Sequence, residues 1–116
     1  MKRVYWLILI FVFTSCNYIF RTISVEIVNN TNHKIESLVI IPNANSKKVF
    51  IEKGKSINYI LDLSSIPKRD GSYLLSYKSN DKLIEKGFGY FSNGMPVEKK
   101  MVIRIEKDSI DFKSIY

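Results

Sequence analysis

The stretch Thr22-Ile23-Ser24-Val25-Glu26-Ile27 alternates polar and apolar side chains at every position. A period of two residues is typical of a β-strand with one buried face, so Ile23, Val25 and Ile27 are predicted to point into a core. Similar short runs recur to the end of the chain, separated by turn-forming residues, and no window has an amphipathic helical period. The sequence therefore predicts an all-β body that begins near Thr22.

The β-rich runs recur at roughly ten-residue spacing, which is typical of a small antiparallel β-sandwich or barrel of about seven to eight strands. The predicted strands are Thr22–Ile27, Ile35–Ile41, Lys47–Glu52, Ser56–Leu63, Ser72–Ser79, Lys82–Phe91, Val97–Glu106 and Ser109–Ser114. Within the second of these, the continuous apolar run Leu38–Ile41 predicts a segment that is covered on both faces.

A different pattern precedes the body. Met1-Lys2-Arg3 is a short basic start, and Val4–Phe13 is an uninterrupted run of ten apolar residues. At about 1.5 Å per residue, a helix of that length covers ~15 Å of a ~30 Å hydrocarbon layer. The run is therefore predicted to be the helical core of a signal peptide, which is too short to span a bilayer.

The four residues Phe13-Thr14-Ser15-Cys16 resemble the lipobox of bacterial lipoproteins, which has an apolar residue, two small residues and an invariant cysteine. The resemblance implies diacylglycerol transfer to the thiol of Cys16, cleavage after Ser15 and acylation of the new amino terminus. Phe13 departs from the usual leucine but keeps the apolar bulk. The expected domains are a signal peptide over residues 1–15, a lipidated tether over 16–21 and a β-sandwich over 22–116.

An uncleaved signal anchor is the alternative for the leader. The seventeen residues of Val4–Phe20 lie between Arg3 and Arg21, which is the lower limit for a transmembrane helix. That interpretation buries the polar residues 14–17 in lipid, so the lipoprotein is favoured over the anchor and over ordinary secretion. The predicted location is the cell membrane or outer membrane, with the lipid on Cys16 as the membrane contact and the body facing the periplasm or exterior.

The net charge of +7 includes Lys2 and Arg3 of the leader, so the remainder carries 16 basic and 11 acidic residues. The basic residues are scattered among acids, as on an ordinary solvated surface. Attraction to an anionic lipid surface is the functional alternative. Nucleic acid is not an expected partner, because an exported protein would rarely meet it.

Most kinds of catalytic chemistry lack candidate residues. His33 is the sole histidine and Cys16 the sole cysteine, so no Cys/His zinc site can form. No nucleophile elbow, P-loop or dinucleotide fingerprint is present. We therefore expect no enzyme, no metal and no cofactor. A carboxylate-only hydrolase is the unfavoured alternative, and its candidate acids are Asp62, Asp70, Asp81, Asp108 and Asp111.

Asp70-Gly71-Ser72-Tyr73 resembles the corner that opens a late strand in immunoglobulin-like sandwiches. The resemblance implies a hydrogen bond from the Tyr73 hydroxyl back to the preceding loop. It also implies that Leu75 takes the place of the disulfide cysteine of antibody domains. Two strand-like runs follow the next hairpin and the body has no tryptophan, so the resemblance predicts an immunoglobulin-like architecture without a topology.

The segment Gly87–Pro96 combines glycines, aromatic residues and an Asn-Gly turn signal. One interpretation is an exposed recognition patch made of Phe88, Tyr90, Phe91, Asn93 and Met95. The other packs Phe88 and Tyr90 inward, with the glycines making room for their rings. Phe91 has the opposite parity to this pair and is predicted to be the most exposed of the three.

These features predict a membrane-anchored, non-enzymatic binding or structural module of the cell envelope. Its partner would be an envelope protein or a glycan. The second class of function is an inhibitor or immunity protein directed against a toxin or a wall-degrading enzyme. The hydrolase is the third.

Overall fold

The computed structural model describes residues 21–45 and 47–116. The predicted signal helix, the lipobox of residues 13–16 and the tether up to residue 20 lie outside the described residues. In the part of the chain that is described, no helix is long and apolar enough to cross a membrane.

The predicted all-β sandwich is confirmed, with nine strands in two sheets over the described ranges. The strands are β1 (Thr22–Asn29), β2 (Ile35–Ile41), β3 (Val49–Ile51), β4 (Ser56–Asp62), β5 (Gly71–Ser79), β6 (Lys82–Ser92), β7 (Met95–Pro96), β8 (Lys100–Ile105) and β9 (Ile110–Ile115). One sheet has the order β4-β1-β8-β9, and the other has the order β3-β2-β5-β6-β7.

One strand pair departs from the antiparallel prediction. β1 and β8 are parallel, with Ser24 opposite Lys100, while every other pairing within the described residues is antiparallel. The strand predicted over Val97–Glu106 is β8, which is shorter at Lys100–Ile105, and the two-residue strand β7 before it belongs to the other sheet. The chain crosses between the sheets at the end where β1 begins, so β8 has to run in the same direction as β1.

The core is built from the inward rows of the two sheets. On β1, Ile23, Val25 and Ile27 are all 2% exposed or less, as their alternation predicts. The facing sheet contributes Tyr73 and Leu75 of β5, which are equally buried. At about 1.5–3 kcal/mol for each large apolar side chain removed from water, these two rows supply a major part of the stability.

The prediction that Leu38–Ile41 is covered on both faces is wrong. Leu38 and Ile40 are fully buried, but Ile41 is 44% exposed. A β-bulge at Ser37, where φ is +52°, inserts one extra residue between Ile35 and the rest of β2. The bulge lets Ile35 and Leu38, three residues apart, point to the same side. The strand thus has one buried face, and the bulge shifts by one position which residues point to that face.

A second bulge interrupts β6. Gly71 of β5 lies opposite Phe91, and Tyr73 lies opposite Phe88, so two steps on β5 face three steps on β6. Gly89, one of the two residues between Phe88 and Phe91, has a φ of +62°. The bulge turns Phe88 and Phe91 to the same side, and both are buried, at 7% and 2% exposure.

Replacing Gly89 by alanine should destabilise the protein by about 2–4 kcal/mol. An L side chain disfavours this left-handed backbone, and its Cβ would lie 2.8 Å from Cδ2 of Tyr73. Gly87→Ala is the matched control on the same strand, since its Cβ would meet no atom nearer than 3.8 Å. That variant should stay within about 0.5 kcal/mol of wild type. Urea unfolding of the three proteins measures the difference, and equal losses in both variants would contradict the role of the bulge.

Candidate binding cleft

The strand register gives the sandwich two distinct ends. β1 starts after Arg21 and ends at Asn29, and the antiparallel partner β4 ends opposite Thr22 at Asp62. We call the end that contains Arg21 the proximal end. The distal end contains Asn29 and the β1–β2, β5–β6 and β8–β9 turns.

A cavity of about 400 Å³ opens at the distal end between the two sheets. Three segments that are distant in sequence line this distal cleft: the β1–β2 turn at residues 31–33, the β5–β6 hairpin and the β8–β9 turn from Ile105 to Ile110. The hairpin contributes Tyr77, Ser79, Ile84 and Lys86. A cavity of this size is within the range of small-molecule and side-chain binding sites.

The cleft lies where β6 of one sheet and the edge strand β9 of the other leave the seam between the sheets open. Nearer the proximal end, the rings of Phe88 on β6 and Phe112 on β9 stack at 4.7 Å and close the seam. Further along, Ile84 and Ile110 are only partly buried. Lys86 lies opposite the buried Leu75 and lines the cleft, although its residue is exposed. A lysine in this row leaves the seam open, since its ammonium group requires water.

The cleft has an apolar floor and a charged rim. Tyr77 and Ile105 are buried beneath it, and burial raises the pKa of the Tyr77 phenol, which keeps it neutral near pH 7. The rim carries both signs of charge, with Lys86 and Lys107 beside Glu106 and Asp108. Such a surface suits a partner that combines apolar contact with polar groups, and His33 of the β1–β2 turn also lines it.

Asn29 holds the β1–β2 side of the cleft in place. Its amide is fully buried and donates to the carbonyl oxygens of His33 at 2.8 Å and Ile51 at 3.0 Å. Its Oδ1 accepts from the backbone and the hydroxyl of Thr31. On the other side of the turn, Asn30 donates to Glu106 at 2.9 Å. These bonds join two turns of different sheets into one rigid rim.

The predicted aromatic patch is divided by the β6 bulge and lies at the proximal end, away from the cleft. Tyr90 and Met95 are exposed, at 47% and 37%, and Asn93 is exposed in the turn between β6 and β7. The expectation that Phe91 is the most exposed aromatic is wrong, and so is the inward packing of Tyr90. The bulge at Gly89 reverses the inward and outward alternation of the residues that follow it, so Tyr90 points outward and Phe91 points inward. Phe88, which precedes the bulge, is buried as well.

Tyr73 does not make the hydrogen bond implied by the immunoglobulin resemblance. Its ring packs against Phe88 and Phe91 with centroids at 5.4 and 5.5 Å. Its hydroxyl is buried without a partner among the described residues, as is Oε2 of Glu98. Burial and then the charge of Glu98 raise the pKa of this phenol. Packing against these two aromatic rings therefore takes the place of the hydrogen bond to the preceding loop. Leu75 is fully buried, in the core position that the resemblance implies.

The candidate carboxylates do not come together. Asp62 and Asp70 lie at the proximal end, whereas Asp81, Asp108 and Asp111 lie toward the distal end. Hydrogen bonds from Ser64 lower the pKa of Asp62, and bonds from the Asn93 amide and the Tyr90 hydroxyl lower that of Asp70. A general acid requires a raised pKa. Across residues 21–45 and 47–116, no three acidic, histidine or cysteine side chains are grouped to hold a metal ion.

No protein-family model matches the chain, and neither does any curated protein or solved structure. The fold class therefore follows from the strand pairing alone. The candidate site follows from the geometry of the two ends, and the lipobox Phe13–Cys16 remains a prediction from the sequence.

Replacing Asp70 by asparagine should remove a pH-dependent part of the stability. The pKa of Asp70 is lowered on folding, so its charge favours the folded state above about pH 4, and this contribution disappears as the pH falls further. The variant should be less stable than wild type at neutral pH and equal to it at about pH 2. Urea midpoints across this range measure the difference, with the exposed Asp111→Asn as the control. A wild-type advantage that persists unchanged in acid would contradict the assignment.

Proposed function

We propose that the chain is made as a lipoprotein precursor and that a lipid on Cys16 holds its β-sandwich at a membrane surface, where it acts as a non-enzymatic binding module. The membrane is the partner of Cys16, and the distal cleft is the site for a second partner, an envelope protein or a glycan. The observation that carries the proposal is the direction of β1. The strand starts six residues after Cys16 and ends beside the cleft.

The dimensions of the chain support this arrangement. The four residues between Cys16 and Arg21 give five chain steps, which span at most about 18 Å, so the proximal end stays close to the lipid. The eight residues of β1 rise by roughly 25 Å toward the distal end. A cleft at that distance from the anchor faces away from the bilayer and is open to molecules in the adjacent compartment.

The chemistry of the cleft supports binding over catalysis. Its apolar floor at Tyr77 and Ile105 and its rim of opposite charges can hold an extended segment or a sugar ring by contact and hydrogen bonds. The rigid rim around Asn29 lowers the entropy that would be lost when a partner is ordered there. An inhibitor or immunity protein would use the same presentation, with its target enzyme as the partner.

Changing Cys16 to serine tests the anchor. The hydroxyl cannot replace the thiol as the lipid acceptor, so the variant should lose radiolabelled palmitate and move from the membrane to the soluble fraction. Labelling and fractionation of cells that make each form measure both effects. Ser15→Ala is the control, because a small residue remains at that position. A C16S variant that stays on the membrane at the wild-type level would support the uncleaved signal anchor instead.

A photo-crosslinking residue placed at Lys86 tests the cleft. Because Lys86 lines the cleft, it should give one discrete adduct in cells that make the protein. The same residue at Lys78, which is exposed on the neighbouring strand and does not line the cleft, is the control and should give none. Mass spectrometry of the adduct identifies the partner, and a secreted enzyme in fixed stoichiometry would favour the inhibitor. Equal adducts from both positions, or none from either, would contradict a binding role for the cleft.

A further inference from the structure

We infer that the proximal end of the sandwich is itself a lipid-contacting surface that lies against the anionic phospholipid headgroups of the membrane carrying the anchor. The inference rests on the proposed lipidation of Cys16, which brings this end to the bilayer. It adds a second and non-covalent contact, made by side chains that neither the core nor the distal cleft uses.

The exposed apolar side chains of the described residues are concentrated at the proximal end. Nine large apolar side chains are exposed, and only Phe50 and Leu83 lie in the distal half. The other seven are in the half next to Arg21: Ile41, Ile60, Tyr90, Met95, Val97, Ile115 and Tyr116. A soluble surface scatters such residues singly. Their concentration at the end where the tether enters indicates contact with something less polar than water.

The excess of basic over acidic residues is also concentrated at the proximal end. Over residues 21–45 and 47–116, the proximal half carries seven basic and three acidic residues, while the rest of the sandwich carries nine basic and eight acidic. The seven basic residues are Arg21, Lys47, Lys48, Lys68, Arg69, Lys99 and Lys100. The acidic ones are Asp62, Asp70 and the buried Glu98. Lys100 is paired with Glu26 at 3.7 Å, and with this pair set aside most of the positive surplus of the body still lies at the end where the predicted lipid is attached, which complements an anionic membrane surface.

Arg21 joins separate segments of this surface. Its guanidinium donates to the carbonyl oxygens of Gly94 at 3.2 Å, Ser64 at 3.1 Å and Ile66 at 2.9 Å. The Gly94 amide in turn donates to the carbonyl of Arg69 at 2.7 Å. The last residue of the predicted tether therefore binds both the loop that presents Lys68 and Arg69 and the turn that precedes Met95. A membrane that holds the tether meets all of these side chains together.

The distances allow lipid contact. With at most about 18 Å of chain after Cys16, the tether lets the basic side chains approach the headgroups to within one Debye length, which is about 8 Å at physiological salt. Attraction over that range would draw the surface inward until Tyr90, Met95 and Val97 reach the interface, where amphipathic and apolar side chains are favoured. The exposed part of the predicted recognition patch then contacts lipid instead of a protein partner.

A single labelled cysteine tests the inference on the purified, lipidated full-length protein. Because lipid occupies the thiol of Cys16, Val97→Cys provides one reactive thiol for an environment-sensitive fluorophore. Leu83→Cys, at the distal end and 61% exposed, is the matched control for Val97, which is 46% exposed. The proteins are placed in phosphatidylcholine vesicles with and without about 30 mol% phosphatidylglycerol. Mass spectrometry first establishes the lipid on Cys16.

Nitroxide-bearing lipids should quench the probe at position 97 at least about twofold more than the probe at position 83, with a larger effect in anionic vesicles. The double variant Lys68→Glu/Arg69→Glu should reduce the quenching at position 97, whereas the distal Lys53→Glu/Lys55→Glu should not. Equal quenching at both positions, or no dependence on anionic lipid, would overturn the inference while the lipid on Cys16 still supports the proposed function. A missing lipid would overturn both.

Discussion

Burial of the inward row of β5 is the constraint on which the remaining strands depend. Tyr73, Leu75 and Tyr77 are each 3% exposed or less, and β5 lies between β2 and β6 in its sheet. A shift of one residue would turn all three to water, at a cost of about 1.5–3 kcal/mol for each side chain. β5 therefore keeps a strict alternation, and both of its neighbours accommodate it with a bulge.

The β6 bulge connects this constraint to the two ends of the molecule. Around it the backbone at Gly89 approaches the ring of Tyr73, and the ring of Phe91 lies over Gly71, where a Cβ would meet Cζ at 2.6 Å. The aromatic cluster formed there closes the proximal half of the seam between the sheets. On the distal side of Phe88, the same row continues with Lys86, which cannot be sealed into a core. Close packing at one end and the open cleft at the other thus arise from one strand.

Much of the fold could be predicted from the sequence, because alternation on β1 and the spacing of the turns are local signals. The bulges at Ser37 and Gly89 could not, since a bulge is defined by the partner strand and not by the residues within it. That is why the predictions of an exposed Phe91 and of a Leu38–Ile41 run covered on both faces were wrong. The distal cleft could not be predicted either, because its lining comes from three separate segments that only the topology brings together. Lys86, at an inward position of a strand, was the one local clue.

The two ends impose different requirements on one small domain. A surface that contacts lipid needs apolar and basic side chains in the open, and these side chains favour aggregation and non-specific contact when they face solvent. In the proposed arrangement the tether holds them at the membrane, which removes that exposure, and the distal end stays close to electrically balanced. A partner at the cleft is then selected by shape and by paired charges, not by long-range attraction to a basic protein. Under the proposed lipidation, the position of Cys16 relative to Arg21 thus determines which surface remains available for recognition.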